Sequence, residues 1–240
     1  MTKEKEFKME LTFERAFLPT RSSNIKIVAY VGGEINEKLF RDAVSKLAIK
    51  HPYLRSKVIL REDGTAYLTT EGGKEPKSVV VPGNSNADVL DAIYQEDKKP
   101  SNWETEPTSR FILIKGVNGS DVVVAYVQHV VADGRSTILV MKHLLEIIAD
   151  PTKEIEELMP ISLVETAPSD VEIPEIQKSF AEKINEEWAK QKVTFGVEDF
   201  IKVAQQKYAL GPDVYVDHAL TQEETIALRN KSKEIGRAHV

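Results

Sequence analysis

Apolar positions in this chain follow two spacings, period 2 or continuous runs and period 3.6, and the switches between them mark its elements. Leu11 to Phe17 reads as a first strand, ending before Pro19, and Ile25 to Val31 as a second, closed by Gly32-Gly33. Asn36 then caps an amphipathic helix carrying Leu39, Phe40, Ala43, Val44, Leu47 and Ala48 on one face. That helix is expected to stop at His51-Pro52, because a proline forces the residue before it out of helical backbone. Two strands follow, Leu54 to Arg61 and Ala66 to Thr70, joined through Asp63-Gly64. Ser78 to Val81 is a short strand, and Asn86 caps a helix with Val89, Leu90, Ile93 and Tyr94. A polar loop holding Trp103 leads to a second hairpin, Phe111 to Lys115 and Asp121 to Gln128, turning on Asn118-Gly119.

The stretch from Val122 to Leu145 organises the rest. Val122 to Val127 is β-branched and uninterrupted, the pattern of a buried strand. It stops at Gln128-His129; Asp133-Gly134 follows, and from Arg135 the apolar residues Ile138, Leu139, Met141, Leu144, Leu145 and Ile148 take helical spacing. Strand, short polar loop, helix: the arrangement delivers one imidazole from a strand end, with Gly134 expected to permit a turn that a Cβ would obstruct. Beyond the helix, Asp150 to Pro174 holds four prolines and reads as a long surface connection. Two helices are expected around Ile176 to Trp188 and Phe200 to Tyr208, then a strand from Val214 to Leu220. Thr221 and Glu224 form a capping box that opens a last helix.

Composition narrows the function classes. With 240 residues the chain can bury a sizeable core, and a net charge of −6 with no basic, aromatic-interleaved stripe argues against a nucleic-acid binder. No apolar run reaches the length of a membrane span, and the charged N-terminus carries no signal-peptide core. The absence of cysteine removes disulfides and thiolate chemistry and suits a cytoplasmic location. No phosphate-cradling glycine loop or dinucleotide fingerprint is present. His129 and Asp133 have no third ligand at metal spacing, so no metal is expected. Read alone, His129 fits a surface or core hydrogen-bonding role better than general-base chemistry, because that is what a histidine at a strand end more often does, and Ser136 reads as a cap because no nucleophile elbow surrounds it.

Three features occur in order: HPYLR (His51 to Arg55) closing a helix, QHVVADGRS (Gln128 to Ser136) closing a hairpin, and a later strand followed by TQEETIALRNKSKEIG. Together they resemble the superfamily of chloramphenicol acetyltransferases, carrier-protein condensation domains and alcohol acyltransferases, whose signature is HHxxxDG or HxxxDG. The resemblance covers most of the chain but only the first half of that family. It implies an α/β fold, a chloramphenicol acetyltransferase-like two-layer sandwich lobe, with a mixed, largely antiparallel sheet and helices on one face. Residues 1–170 would be the N-terminal lobe, and 171–240 the crossover and start of a truncated second lobe. His129 takes the place of the catalytic base, which removes a proton from an alcohol or amine as it attacks an acyl thioester. Asp133 matches the aspartate that steadies the loop through an arginine, with Arg55 its expected partner, and Gly134 keeps the turn open. Gln128 stands where the family has its first histidine, a departure that favours small-molecule acyltransferases over condensation domains.

The resemblance thus implies an acyltransferase using coenzyme A or a carrier protein as thioester donor, with no bound cofactor. Its alternatives are a condensation domain of peptide synthesis, forming an amide, and a non-catalytic homologue that binds a carrier or partner. The last six residues, from Ile235 to Val240, are those a common sequencing adapter would encode. A truncated frame ending near Glu234 or Gly236 is expected, and a chain so truncated would lack the opposite wall of the cleft and not catalyse.

Overall fold

In the computed structural model, residues 7–12, 14–18, 24–62, 64–99, 104–158, 174–191, 196–209 and 219–234 are described. The hairpin at Asn118-Gly119 closes where its turn residues predicted: Asn118 and Gly119 both adopt positive φ, 48° and 79°, the left-handed pair that suits a twisted two-residue connection, while Asp63 of the other expected turn lies outside the described residues. Asn118 and Gly119 join β6 (Ser109–Val117) to β7 (Ser120–Val127), and β7 in turn pairs antiparallel with β2 (Ile25–Val31). On the other side of β6 lies β5 (Lys77–Pro82), parallel to it. A parallel neighbour requires a crossover, and α2 (Asn86–Asp97) supplies it. The result is a four-stranded mixed sheet in the order β2-β7-β6-β5. A smaller antiparallel sheet is built from β1 (Lys8–Leu11), β4 (Ala66–Thr69) and β3 (Lys57–Leu60), in the order β1-β4-β3.

Side-chain alternation splits the large sheet between two cores. Phe111, Leu113, Val123, Ala125 and Val127 pack with α1 (Glu37–Lys50) and α3 (Gly134–Ala149) through Phe40, Val44, Leu47, Val140 and Leu144. Their neighbours Ile112, Ile114, Val122 and Val124 point the other way, onto Val89 and Ile93 of α2. Every residue from Val122 to Val127 is therefore buried, which is why the sequence shows no alternation there. The α/β reading with a mixed sheet holds, and α2 adds a helix on the second face. At the end of α2, Asp97 is anchored to the sheet by Tyr126 Oη, which donates to Oδ1 at 2.5 Å, and by Lys26 at 3.3 Å.

Local differences have local causes. The strand expected to run through Phe17 stops at Leu11, and Glu14–Phe17 is a 3₁₀ turn. Leu54 belongs to another such turn, Pro52–Arg55, which follows directly from the proline that ends α1. Helix α2 is capped one residue earlier than expected, by Ser85, whose N–H donates to Asp88 Oδ2 at 2.9 Å. Later in the chain come α4 (Glu175–Gln191), α5 (Val197–Ala209) and α6 (Gln222–Glu234). The capping box at α6 forms as read, with Glu224 N donating to Thr221 Oγ1 at 3.2 Å and Thr221 N to Glu224 Oε2 at 2.8 Å. Along α4, Ile176, Phe180 and Ile184 are exposed despite their helical spacing. Trp103, the connection from 159 to 173, most of the expected strand from Val214 and the last six residues lie outside the described residues.

Candidate functional site

His129 stands in the tight turn that links the end of β7 to α3. The turn closes through Val131 N donating to Gln128 O at 3.0 Å. Its apolar residues are shared out: Val130 packs into the core under the small sheet, with Leu18, Val58 and Leu68, while Ala132 joins the large core. Val131 packs against both. The loop thus lies on the seam between two cores, and His129 between them is left half-buried. Its ring stacks on Phe17 of the Glu14–Phe17 turn, with centroids 4.1 Å apart and planes 11° from parallel.

Asp133 is the N-cap of α3. Its Oδ1 accepts from Ser136 N at 2.7 Å, and its carbonyl accepts from Thr137 N at 2.9 Å and Thr137 Oγ1 at 2.8 Å. The Ser136 N–H holds the carboxyl below the usual carboxylate range, with smaller help from the Ser136 hydroxyl and from the charges of His129 and Arg135. The ion pair expected between Asp133 and Arg55 is not formed, and among the described residues no salt bridge joins them. The physical reason is local: a carboxylate at this position meets the unsatisfied N–H groups of its own helix first. Asp133 is exposed, whereas Arg55 is half-buried at the end of the Pro52–Arg55 turn.

The HPYLR segment supports the loop by another route. Gln128, itself buried, donates its N–H to Thr108 O at 2.9 Å. Thr108 in turn donates through its N–H to Ser56 O at 3.2 Å and through Oγ1 to Tyr53 O at 2.9 Å. One residue on, Ser109 Oγ donates to Leu54 O at 2.8 Å. Neutral hydrogen bonds to backbone carbonyls, rather than an ion pair, carry the connection. Gly134 also differs from expectation: it begins α3 without a positive φ, and a Cβ there would meet nothing within 4 Å. The turn does not require glycine.

In sequence His51 marks only a helix end, and no motif includes His143. The structure brings them together across α1 and α3, His51 Nε2 lying 2.8 Å from His143 Nδ1, with Tyr53 Oη 3.1 Å from His51 Nδ1. Burial, and the nearby charges of His143 and Lys50, push His51 down to about 4, and burial pushes the Tyr53 phenol up to about 12. Thr108 and Phe17 likewise belong to no sequence motif. Thr108 works through backbone and hydroxyl contacts that no motif encodes, and Phe17 meets His129 from a distant part of the chain.

No protein-family model matches the sequence, and no curated protein matches it. Solved structures do match in fold. The starter condensation domain of the rhizomide synthetase RzmA aligns with a TM-score of 0.53 at 14% identity, covering 75% of this chain and 43% of that one. The condensation domain of the monacolin K polyketide synthase MokA gives 0.53 at 14% identity, over 62% of this chain and 36% of its own. The epimerization domain from the third module of tyrocidine synthetase B gives 0.52 at 16% identity, over 67% and 39%. The chain has the fold of the condensation domains, and it spans between 36% and 43% of the length of these three structures.

Proposed function

We propose that this chain supplies the base-bearing lobe of an acyl-transfer or condensation enzyme, with His129 as general base. The observation that supports it most is the placement of His129: a half-exposed imidazole on a turn whose neighbouring residues are buried or capped, at the seam of two cores. In the proposed reaction an imidazole nitrogen takes the proton of an acceptor O–H or N–H. The acceptor atom bonds to the acyl carbon, the carbon–sulfur bond breaks, and the thiolate leaves and recovers the proton from the imidazolium. An alcohol is a weak nucleophile until that proton is removed, and imidazole titrates where this can happen near neutral pH. Asp133 and Thr108 hold the loop.

The donor is a coenzyme A or carrier-protein thioester. One fold neighbour, a variant of the rhizomide starter condensation domain with a TM-score of 0.50, was solved in complex with C8-CoA. The activity belongs to a two-lobe protein that contains this chain. It is tested by thiol release from an acyl thioester, with and without acceptor, in such a protein and its His129→Ala variant. The expected loss is about 10²- to 10⁴-fold; equal rates in the two would refute the role of His129.

A further inference from the structure

We infer that Phe17 is a positioning residue for His129, fixing the plane of the imidazole so that its edge nitrogens are presented to the reacting groups. This rests on the proposed function of His129 and extends it to a residue outside the motif. An imidazole at the end of a strand has a broad, two-fold preference about its last torsion, so the turn alone does not set its plane. Phe17 does: the rings lie face to face, 4.1 Å between centroids and 11° from parallel. A face-on contact occupies one side of the ring and leaves both nitrogens, which lie in its plane, open to hydrogen bonding. Packing against a nitrogen-bearing edge would have covered one of them.

The contact is built rather than incidental, because the segment carrying Phe17 is fixed on both sides. Phe17 stacks on His129, and the next residue of each segment, Leu18 and Val130, is buried in one and the same core. On the near side, Arg15 Nη1 donates to Gly64 O at 3.0 Å, tying the 3₁₀ turn to the β3–β4 connection. The small sheet thereby acquires a purpose: it holds an aromatic ring against the imidazole from outside the strand–loop–helix unit that carries it.

The test is a spectroscopic one on the 240-residue chain, with a kinetic arm on a two-lobe protein containing it. The five histidines are labelled at the imidazole carbons, and His129 is assigned by its loss in His129→Gln. The ring current of a stacked phenyl holds the His129 ring protons upfield. Phe17→Ala and Phe17→Leu are expected to move them downfield, and Phe17→Tyr to leave them in place. The His51 and His143 signals, from a pair 2.8 Å apart at the α1–α3 contact, should stay fixed and report that the fold is intact. Leucine preserves apolar bulk, so a shift there cannot be ascribed to lost packing. In the kinetic arm Phe17→Ala should lower kcat by up to about 10²-fold with little change in KM, with recovery in Phe17→Tyr. Unmoved His129 signals in Phe17→Ala and Phe17→Leu would overturn the inference. So would a moved signal with unchanged kcat, since the stack would then exist without positioning a base. If His129→Ala retains full rate, the proposed function fails, and the spectra still report whether the stack exists.

Discussion

Replacing Asp133 separates two explanations of the loop that the sequence could not distinguish. The side chain caps α3, with backbone φ −88° and ψ −179° and its carboxylate accepting the Ser136 N–H. Asp133→Ala removes that acceptor at an exposed helix end, and such substitutions cost about 0.5–2 kcal/mol. Asp133→Asn keeps an acceptor oxygen and loses only a negative charge beside the helix N-terminus, worth about 0.3–1 kcal/mol. Had Asp133 been one member of a buried ion pair with Arg55, either change would strand a charge at about 3–5 kcal/mol. Urea unfolding decides, provided m is unchanged so that midpoints report stability. The expected order is wild type, then D133N, then D133A. A double-mutant cycle with Arg55→Gln should show coupling within about 0.5 kcal/mol. Acid supplies a second readout. The folded carboxyl is held low, so its contribution is complete above the unfolded pKa and is lost as pH falls through the folded one. D133N should lack that loss. If the asparagine variant falls as far as alanine, by about 3 kcal/mol or more, or couples strongly to Arg55, the capping account is wrong.

Buried His51, paired with half-buried His143, gives a pH dependence of its own. His51 sits near 4 when folded against 6.5 in its reference state, so the unfolded chain binds the extra proton between those values. Stability is therefore complete above about pH 6.5 and declines toward pH 4, by roughly 3 kcal/mol for that difference in pKa, and His51→Phe should flatten the decline in denaturant midpoints followed against pH. Gly134→Ala should leave stability unchanged or raise it by up to about 1 kcal/mol, because the site is helical and open; a clear loss on thermal unfolding would show that glycine is required there after all.

Periodicity was sufficient for the strands of the large sheet and for its helices, though not for the order of those strands. Val122 to Val127 had to be buried, and Asn118-Gly119 had to turn, because those residues leave the backbone few alternatives. The placement of His129 at a strand end, and of Asp133 at the start of a helix, follows from the same local rules. What His129 and Asp133 touch does not. Asp133 could have reached an arginine or its own helix, and short-range geometry favoured the helix. Thr108, Phe17 and the His51–His143 pair act between segments distant in sequence. Such contacts leave no periodic trace, since each depends on which surfaces the folded cores bring together. The sequence alone determined the elements and the residue that the loop presents; only the tertiary structure decided what holds that residue in place, because the restraint comes from packing across two sheets.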